Sequence, residues 1–474
     1  MILRQGEWLA ERGRRGAGFA SRHRTLLALA LIVVAGALLR FDAAASPSDH
    51  QSSDERSYAK IAHGIARRNT YGLPVQNDPV HWMPGAPMMF AVAYRLNPTR
   101  SEAGVRDVAA AYNWQALVGT LTIVAAFLLG LLIAGRLAGL ISAAAVAFYP
   151  PLIAASHDLL SEPLGAMLAT SALAATVWAI RDPGRRHWKT LLAGALLGLT
   201  VLTRADLALL PAIAALAIAA AAWHGSTQPR LQRARRALGA AVPLVAATLV
   251  LVLPWSAFAS KSAGSFVPLS TGGGSNFFIG TYLPGDGSLY GTKRNLAEAT
   301  QKHFPDHPRV SNYTQLEMHD VMRMVAARRP ELSEEAALKA EALSNLRHYA
   351  LGRPVEFAGM AASKVWRLWG AYTVSSFRQR TTPILIYHRA IVLIGILGLL
   401  AGIIFARRWI LLLPAAAVLY ITALNAILVS ESRHNLTLLP TLATAGVAGI
   451  VVAVRRLQQR RSEGSGGDAG LQSA

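Results

Sequence analysis

Apolar runs alternate with short basic turns along most of the chain. A membrane span needs about 20 apolar residues, fewer where flanking Lys or Arg reach back to the interface. By that rule the pattern predicts ten helices, near 25–41, 112–134, 137–154, 161–180, 190–203, 207–223, 237–258, 383–405, 409–429 and 435–453. Lys189 and Arg204 bracket the fifth run, the shortest of the ten. Two further segments carry helical periodicity without being long enough to span. In "SDERSYAKIAHGIARRN" (53–69), Tyr58, Ile61, Ala62, Ile65 and Ala66 fall on one face, which predicts an amphipathic helix on the membrane surface. Between 313 and 369, charges alternate with apolar residues at helical spacing, punctuated by Pro330 and Pro354. Two or three helices are expected there, with Trp366 and Trp369 anchoring at the interface.

The basic residues orient these elements. They cluster at Arg12–Arg24, Arg136, Arg181–Lys189, Arg230–Arg236, Arg407–Arg408 and Arg455–Arg461, each after an even number of spans. The positive-inside rule then places both termini in the cytoplasm. Outside lie 42–111, the turns near 155–160, 204–206 and 430–434, and the long segment 259–382. The predicted fold class is therefore an all-α polytopic membrane protein with a large, mainly helical outer loop domain. Its parts are a basic N-terminus (1–24), a membrane core (25–258) with the first outer loop 42–111, the large outer loop (259–382), C-terminal membrane helices (383–453) and a disordered tail (454–474). A competing reading of the first span is a cleaved signal peptide, since Ala43 and Ala45 resemble a small-residue cleavage site.

Composition agrees with a membrane chain: 53% of the 474 residues are hydrophobic, 15% are charged, and mean hydropathy is +0.34. The net charge of +21 is explained by the orienting clusters, so nucleic acid is not an expected partner. Having no cysteine, the chain has neither disulfides nor thiolate chemistry.

Candidate chemistry collects on the outer side. Asp54 and Glu55 open the amphipathic helix, where Ser52 with Glu55 makes a capping box and acids complement the helix dipole. "SHDLLSEPL" brings Asp158 and Glu162 to the next outer turn, "LTRAD" brings Arg204 and Asp206, and "SESRHN" brings Glu431, Arg433 and His434. Each alone reads as a solvated helix end. Together they suit group transfer from a lipid phosphate: an Arg fork binds phosphate oxygens and stabilises the leaving charge, and a carboxylate takes the acceptor's proton. The glycines Gly272–Gly274 lack a following Gly-Lys-Ser/Thr and read as a turn opening the outer domain. His50, His63, His81, His303 and His307 show no metal-ligand spacing.

The acidic pair after the first span, "HWMPGAPMMFAVAYRL", "SHDLLSEPL", "GLTVLTRAD" and "SESRHNLTLLPTLA" together resemble the polyprenyl-phosphate-dependent GT-C glycosyltransferases, in particular bacterial relatives of protein O-mannosyltransferases and lipid A aminoarabinose transferases. The likeness covers nearly all of 25–453, and departs from the commoner Arg-Tyr pair in having His434 after Arg433. The resemblance implies a sugar moved, with inversion, from a polyprenyl-phosphate donor to a glycan, lipid or protein acceptor at the outer face of the inner membrane. By it, Asp54 is general base or orients the acceptor, Glu55 supports it, and Arg204 and Arg433 face the donor phosphate. Asp158 and Glu162 take positions where some relatives hold a divalent metal, so a Mg or Mn cofactor is left open. The alternative function is a transporter or flippase of a lipid-linked sugar, which predicts charged or broken helices at the midplane and a repeated architecture. An inactive assembly protein is a third reading, one that would tolerate loss of Asp54.

Overall fold

Inside a bilayer a backbone must satisfy its own hydrogen bonds, so an apolar run that spans is helical or part of a closed barrel. Here the runs are helical, in a computed structural model that describes residues 2–46, 52–73, 80–96, 108–182, 186–305, 312–372 and 382–468. Among the described residues there is no strand. In chain order the helices are α1 (Ile2–Ala45), α2 (Ser53–Arg68), α3 (Gly85–Leu96), α4 (Val108–Ala134), α5 (Arg136–Ala147), α6 (Pro150–Ala154), α7 (Glu162–Arg181), α8 (Arg186–Thr203) and α9 (Leu210–His224). They continue with α10 (Arg230–Ala263), α11 (Gly273–Thr281), α12 (Leu289–His303), α13 (Met318–Ala326), α14 (Glu334–Asn345), α15 (Pro354–Gly370), α16 (Thr382–Ile404), α17 (Leu412–Ile427) and α18 (Leu439–Asp468).

Among the described residues eight helices are long and apolar enough to cross a membrane, and 136–147 with 150–157 makes a ninth, bent by 59°. The tenth expected span is α8. Its start at Arg186–Lys189 shortens the apolar run, yet it packs against both α7 and α10. Helix α4 packs on α1, α5 and α7, while α16 lies along α18. That last contact depends on small residues: a Cβ on Gly402 would stand 2.6 Å from the Cα of Gly449, so only paired glycines let the helices approach this closely. The last helix runs on through Asp468, where the sequence suggests a disordered tail; the Arg- and Gln-rich stretch to Arg461 has good helix formers that extend it, whereas nothing in the Gly- and Ser-rich stretch after it explains the remainder.

The bend after α5 has a chemical cause. Pro150 and Pro151 have no N–H, so the carbonyls of Val146 and Ala147 lose their partners four residues on. Arg40 of α1 replaces both donors, from Nη2 to Val146 O at 2.8 Å and from Nη1 to Ala147 O at 2.9 Å. The guanidinium is fully buried. Arg40→Met is therefore expected to lower stability by about 2–4 kcal/mol, since it leaves two buried carbonyls unpaired, and thermal unfolding of the purified protein checks it.

The segment between α10 and α16 (α11–α15), the loop domain expected on the outer side, encloses a core of its own around Phe278, Val321, Val325 and Leu338. It is tied to the bundle beside the end of α17: buried Lys364 donates to Gly280 O and Ala426 O, each at 2.8 Å, and Val429 N donates to Asn276 O at 3.0 Å. The segment 313–369 forms three helices, as its periodicity predicts. Its two tryptophans differ. Trp369 packs into the bundle with Nε1 on Thr422 Oγ1 at 3.0 Å, whereas Trp366 is exposed beneath the Arg389 guanidinium, 5.2 Å from its ring.

Candidate functional site

Helix α2 begins as its sequence suggests. Ser52 is the N-cap, with its side chain accepting from Glu55 N at 3.3 Å, while Glu55 Oε2 accepts from Ser52 N and Oγ at 2.7 and 2.9 Å. The cap turns Glu55 inward to full burial, where its other oxygen accepts from Leu159 N at 3.2 Å. Asp54, one residue earlier, points the other way and lines a cavity of about 280 Å³.

Glu55 thus helps to hold the turn that leads into α7. Gln115 of α4 holds it from the opposite side, its Nε2 donating to Asp158 O and Leu160 O at 2.8 Å each. Glu162 follows at the N-terminus of α7, where a carboxylate suits the helix dipole. Arg204, in extended backbone after α8, lies across that first turn; a Cβ on Gly165 would come within 2.9 Å of Arg204 Cδ, so glycine makes the passage possible. Its Nη1 reaches Glu162 Oε1 at 2.9 Å and Ser161 Oγ at 3.2 Å. Nε and Nη2 form a bidentate pair with Asp206 at 3.0 and 2.8 Å.

The last turn, 432–437, delivers Arg433 to the same place. Its Nη2 pairs with Asp54 Oδ2, and its Nε stands 3.7 Å from Glu162 Oε1. The result is an alternating chain, Asp54–Arg433–Glu162–Arg204–Asp206, drawn from four parts of the sequence. Burial opposes both guanidinium charges, but the carboxylates outweigh it, Asp54 foremost at Arg433 and Asp206 at Arg204, so both stay protonated. His434 is lowered to about 4, by burial first and then by Arg204, and sits neutral with Nδ1 2.9 Å from Asn425 Oδ1. Glu431 also lines the cavity; burial pushes its carboxyl up against the pull of Arg433 and Arg367, and Oε1 has no hydrogen-bond partner.

Of the residues singled out in the sequence, the cavity brings together Asp54, Glu162, Arg204 and Arg433, with Asp206, Glu431, His434 and His81 also in its lining. Glu55 and Asp158 are buried outside its lining. Glu162 faces two arginines rather than a second acid, and among the described residues no three His, Cys, Asp or Glu side chains gather as a metal-ligand set. The glycine turn abuts the cavity, with Ser270 and Thr271 in its wall, but its amides are taken: Glu335 accepts from Gly272 N at 3.2 Å and Gly274 N at 2.8 Å. His63 stacks on Tyr94 and His303 meets Phe304 edge-on, while His50 and His307 lie outside the described residues. Unforeseen in the sequence are Tyr58 and Trp82 in the cavity wall and Arg40 in the bundle, since no local pattern distinguishes them from interfacial or packing residues.

No protein-family model matches the sequence, and no curated protein matches it either. Solved structures do. The oligosaccharyltransferase AglB of Archaeoglobus fulgidus, in complex with an inhibitory peptide and a dolichol-phosphate, aligns over 94% of this chain and 52% of its own at 15% identity and a TM-score of 0.53. Its apo form aligns over 93% and 52% at 16% identity and 0.55. This chain thus spans about half the length of that enzyme. ArnT of Cupriavidus metallidurans aligns over 92% of this chain and 78% of its own at 18% identity, with a TM-score of 0.39. By its architecture, this is a polytopic membrane protein that shares the fold of that archaeal oligosaccharyltransferase over half the latter's length.

Proposed function

We infer that the chain is a membrane glycosyltransferase that moves a sugar from a polyprenyl-phosphate donor to an acceptor at the extracytoplasmic face of the inner membrane. What carries the reading is the Asp54–Arg433 pair in the lining of a cavity beside the ends of the spans. Arg433 Nη1 has no partner among the described residues, so one more anion can join it without breaking the chain. In the reaction the acceptor hydroxyl gives its proton to Asp54 and its oxygen bonds to the anomeric carbon. The bond from that carbon to the phosphate oxygen breaks, the electron pair leaves with the lipid phosphate, and Arg433 stabilises the charge. A single displacement inverts the anomeric centre. The fold likeness supports the class of chemistry, since one of the aligned structures holds a dolichol-phosphate.

The broken helix after α5 does not favour transport. Its freed carbonyls are already filled by Arg40, which leaves nothing there to coordinate a solute. Deleting the gene is expected to remove one envelope glycan and to accumulate its lipid-linked donor, read by mass spectrometry of glycans and lipids; an unchanged inventory would sink the reading. Single-cysteine labelling in intact cells tests the side of the membrane: Glu331→Cys, on the exposed outer domain, should react with an impermeant reagent and Gln459→Cys should not.

A further inference from the structure

The cavity wall is of two unlike kinds. Asp54, Glu162, Arg204 and Arg433 supply charge; Tyr58, Trp82, Met83 and Leu160 supply aromatic and apolar surface beside it. Trp82 is held firmly in that apolar wall. Its ring tilts against Tyr58 with centroids 4.9 Å apart and meets His81 edge-on at 5.1 Å, and Tyr71 Oη donates to the Trp82 carbonyl at 2.6 Å. Thr271 N donates to the neighbouring Val80 O at 3.4 Å, so the outer domain closes over the same segment.

One group in this wall is unsatisfied. The Trp82 Nε1–H is buried and has no hydrogen-bond partner among the described residues. Buried indole N–H groups ordinarily find an acceptor, and leaving one unmade is costly. Other tryptophans near the outer side spend theirs inside the protein: Trp255 on Leu269 O at 2.6 Å and Trp369 on Thr422 Oγ1. At Trp82, a residue that lines the cavity, the described residues supply no acceptor, and a molecule filling the cavity would supply one once the indole edge turns toward it.

A pyranose ring matches both kinds of surface at once. Its C–H face is apolar and suits an aromatic ring, while its rim of hydroxyls offers acceptors to an N–H and donors to carboxylates. A bare phosphate would use the arginines alone. We propose that Trp82 forms the subsite for the donor's sugar, stacking on the C–H face and donating Nε1–H to a ring hydroxyl. The proposal rests on the reading that this cavity takes a polyprenyl-phosphate sugar, and it makes Trp82 a determinant of which sugar is accepted.

The test is binding to the full-length protein in detergent, with undecaprenyl phosphate and its glucose, mannose and galactose derivatives as probes. The wild type is expected to bind at least one sugar-bearing lipid more tightly than the bare lipid. Trp82→Ala should weaken that lipid by roughly tenfold or more, in the range found for stacking on aromatic side chains, and leave bare undecaprenyl phosphate unchanged. Trp82→Phe keeps a ring against Tyr58 and loses only the N–H, so it should fold normally and weaken the sugar-bearing lipid by about threefold. Equal loss for bare and sugar-bearing lipid, no loss for either, or a wild type indifferent to the sugar would each overturn the subsite. A wild type that binds none of the four probes would instead overturn the functional reading beneath it.

Discussion

Asp54→Asn is expected to leave folding and lipid-phosphate binding nearly intact while lowering sugar transfer by roughly 10² to 10⁴, the usual worth of a positioned general base. The amide keeps the size and polarity of the carboxylate and can still accept from Arg433, but it cannot take a proton. As a helix-start residue alone, Asp54 would contribute a few tenths to about 1 kcal/mol of stability and nothing to turnover. The neighbouring Glu55→Gln separates the two roles. Gln keeps an acceptor for Leu159 N but brings an N–H₂ toward Ser52 N, a donor facing a donor, so about 1–2 kcal/mol of stability should be lost. Transfer per folded molecule should stay close to wild type, because Glu55 is buried outside the cavity. Labelled-sugar transfer and thermal unfolding, measured on both variants, decide between the readings. Equal and mild losses would return Asp54 to a capping role.

That contrast also marks what the sequence reveals and what it hides. Helix ends were legible because hydropathy and basic clusters place polar residues at known depths, and Asp54, Glu162, Arg204 and Arg433 all fall at one depth on one side. Depth is not direction. Adjacent residues at a helix start point about 100° apart, so of Asp54 and Glu55 only one could face the cavity, and the capping box commits Glu55 inward. Asp158 and Glu162 are four apart, but the chain between them is a turn rather than a helix, which leaves Asp158 outside the cavity lining and Glu162 between two arginines. Arg40 was hidden for another reason: its partners lie more than a hundred residues away, and the need for them arises from Pro150 and Pro151.

The two cavity arginines, equivalent in sequence, should fail in different ways. Arg204 commits every guanidinium nitrogen: Nε and Nη2 to Asp206, Nη1 to Ser161 and Glu162. Its side chain is 10% exposed and that of Glu162 only 5%, so Arg204→Ala strands a buried carboxylate. Breaking such a pair by removing one partner costs about 3–5 kcal/mol, and the variant should unfold early, with loss of transfer following loss of fold. Arg433 is more open, at 30%, and keeps Nη1 free of protein partners among the described residues. Arg433→Ala should therefore retain most of its stability but weaken undecaprenyl phosphate by roughly 10- to 100-fold, the worth of a charge-assisted pair of hydrogen bonds. It should lower turnover as well, by about 10² to 10³, since the leaving phosphate loses its cation. Arg433→Lys restores the charge without the fork, so recovery of binding should be partial. The measurements are lipid affinity and thermal unfolding for all three variants. If Arg204→Ala proved stable and blind to lipid phosphate while Arg433→Ala bound it normally, the roles would be exchanged, and the free nitrogen of Arg433 would have to serve the acceptor instead.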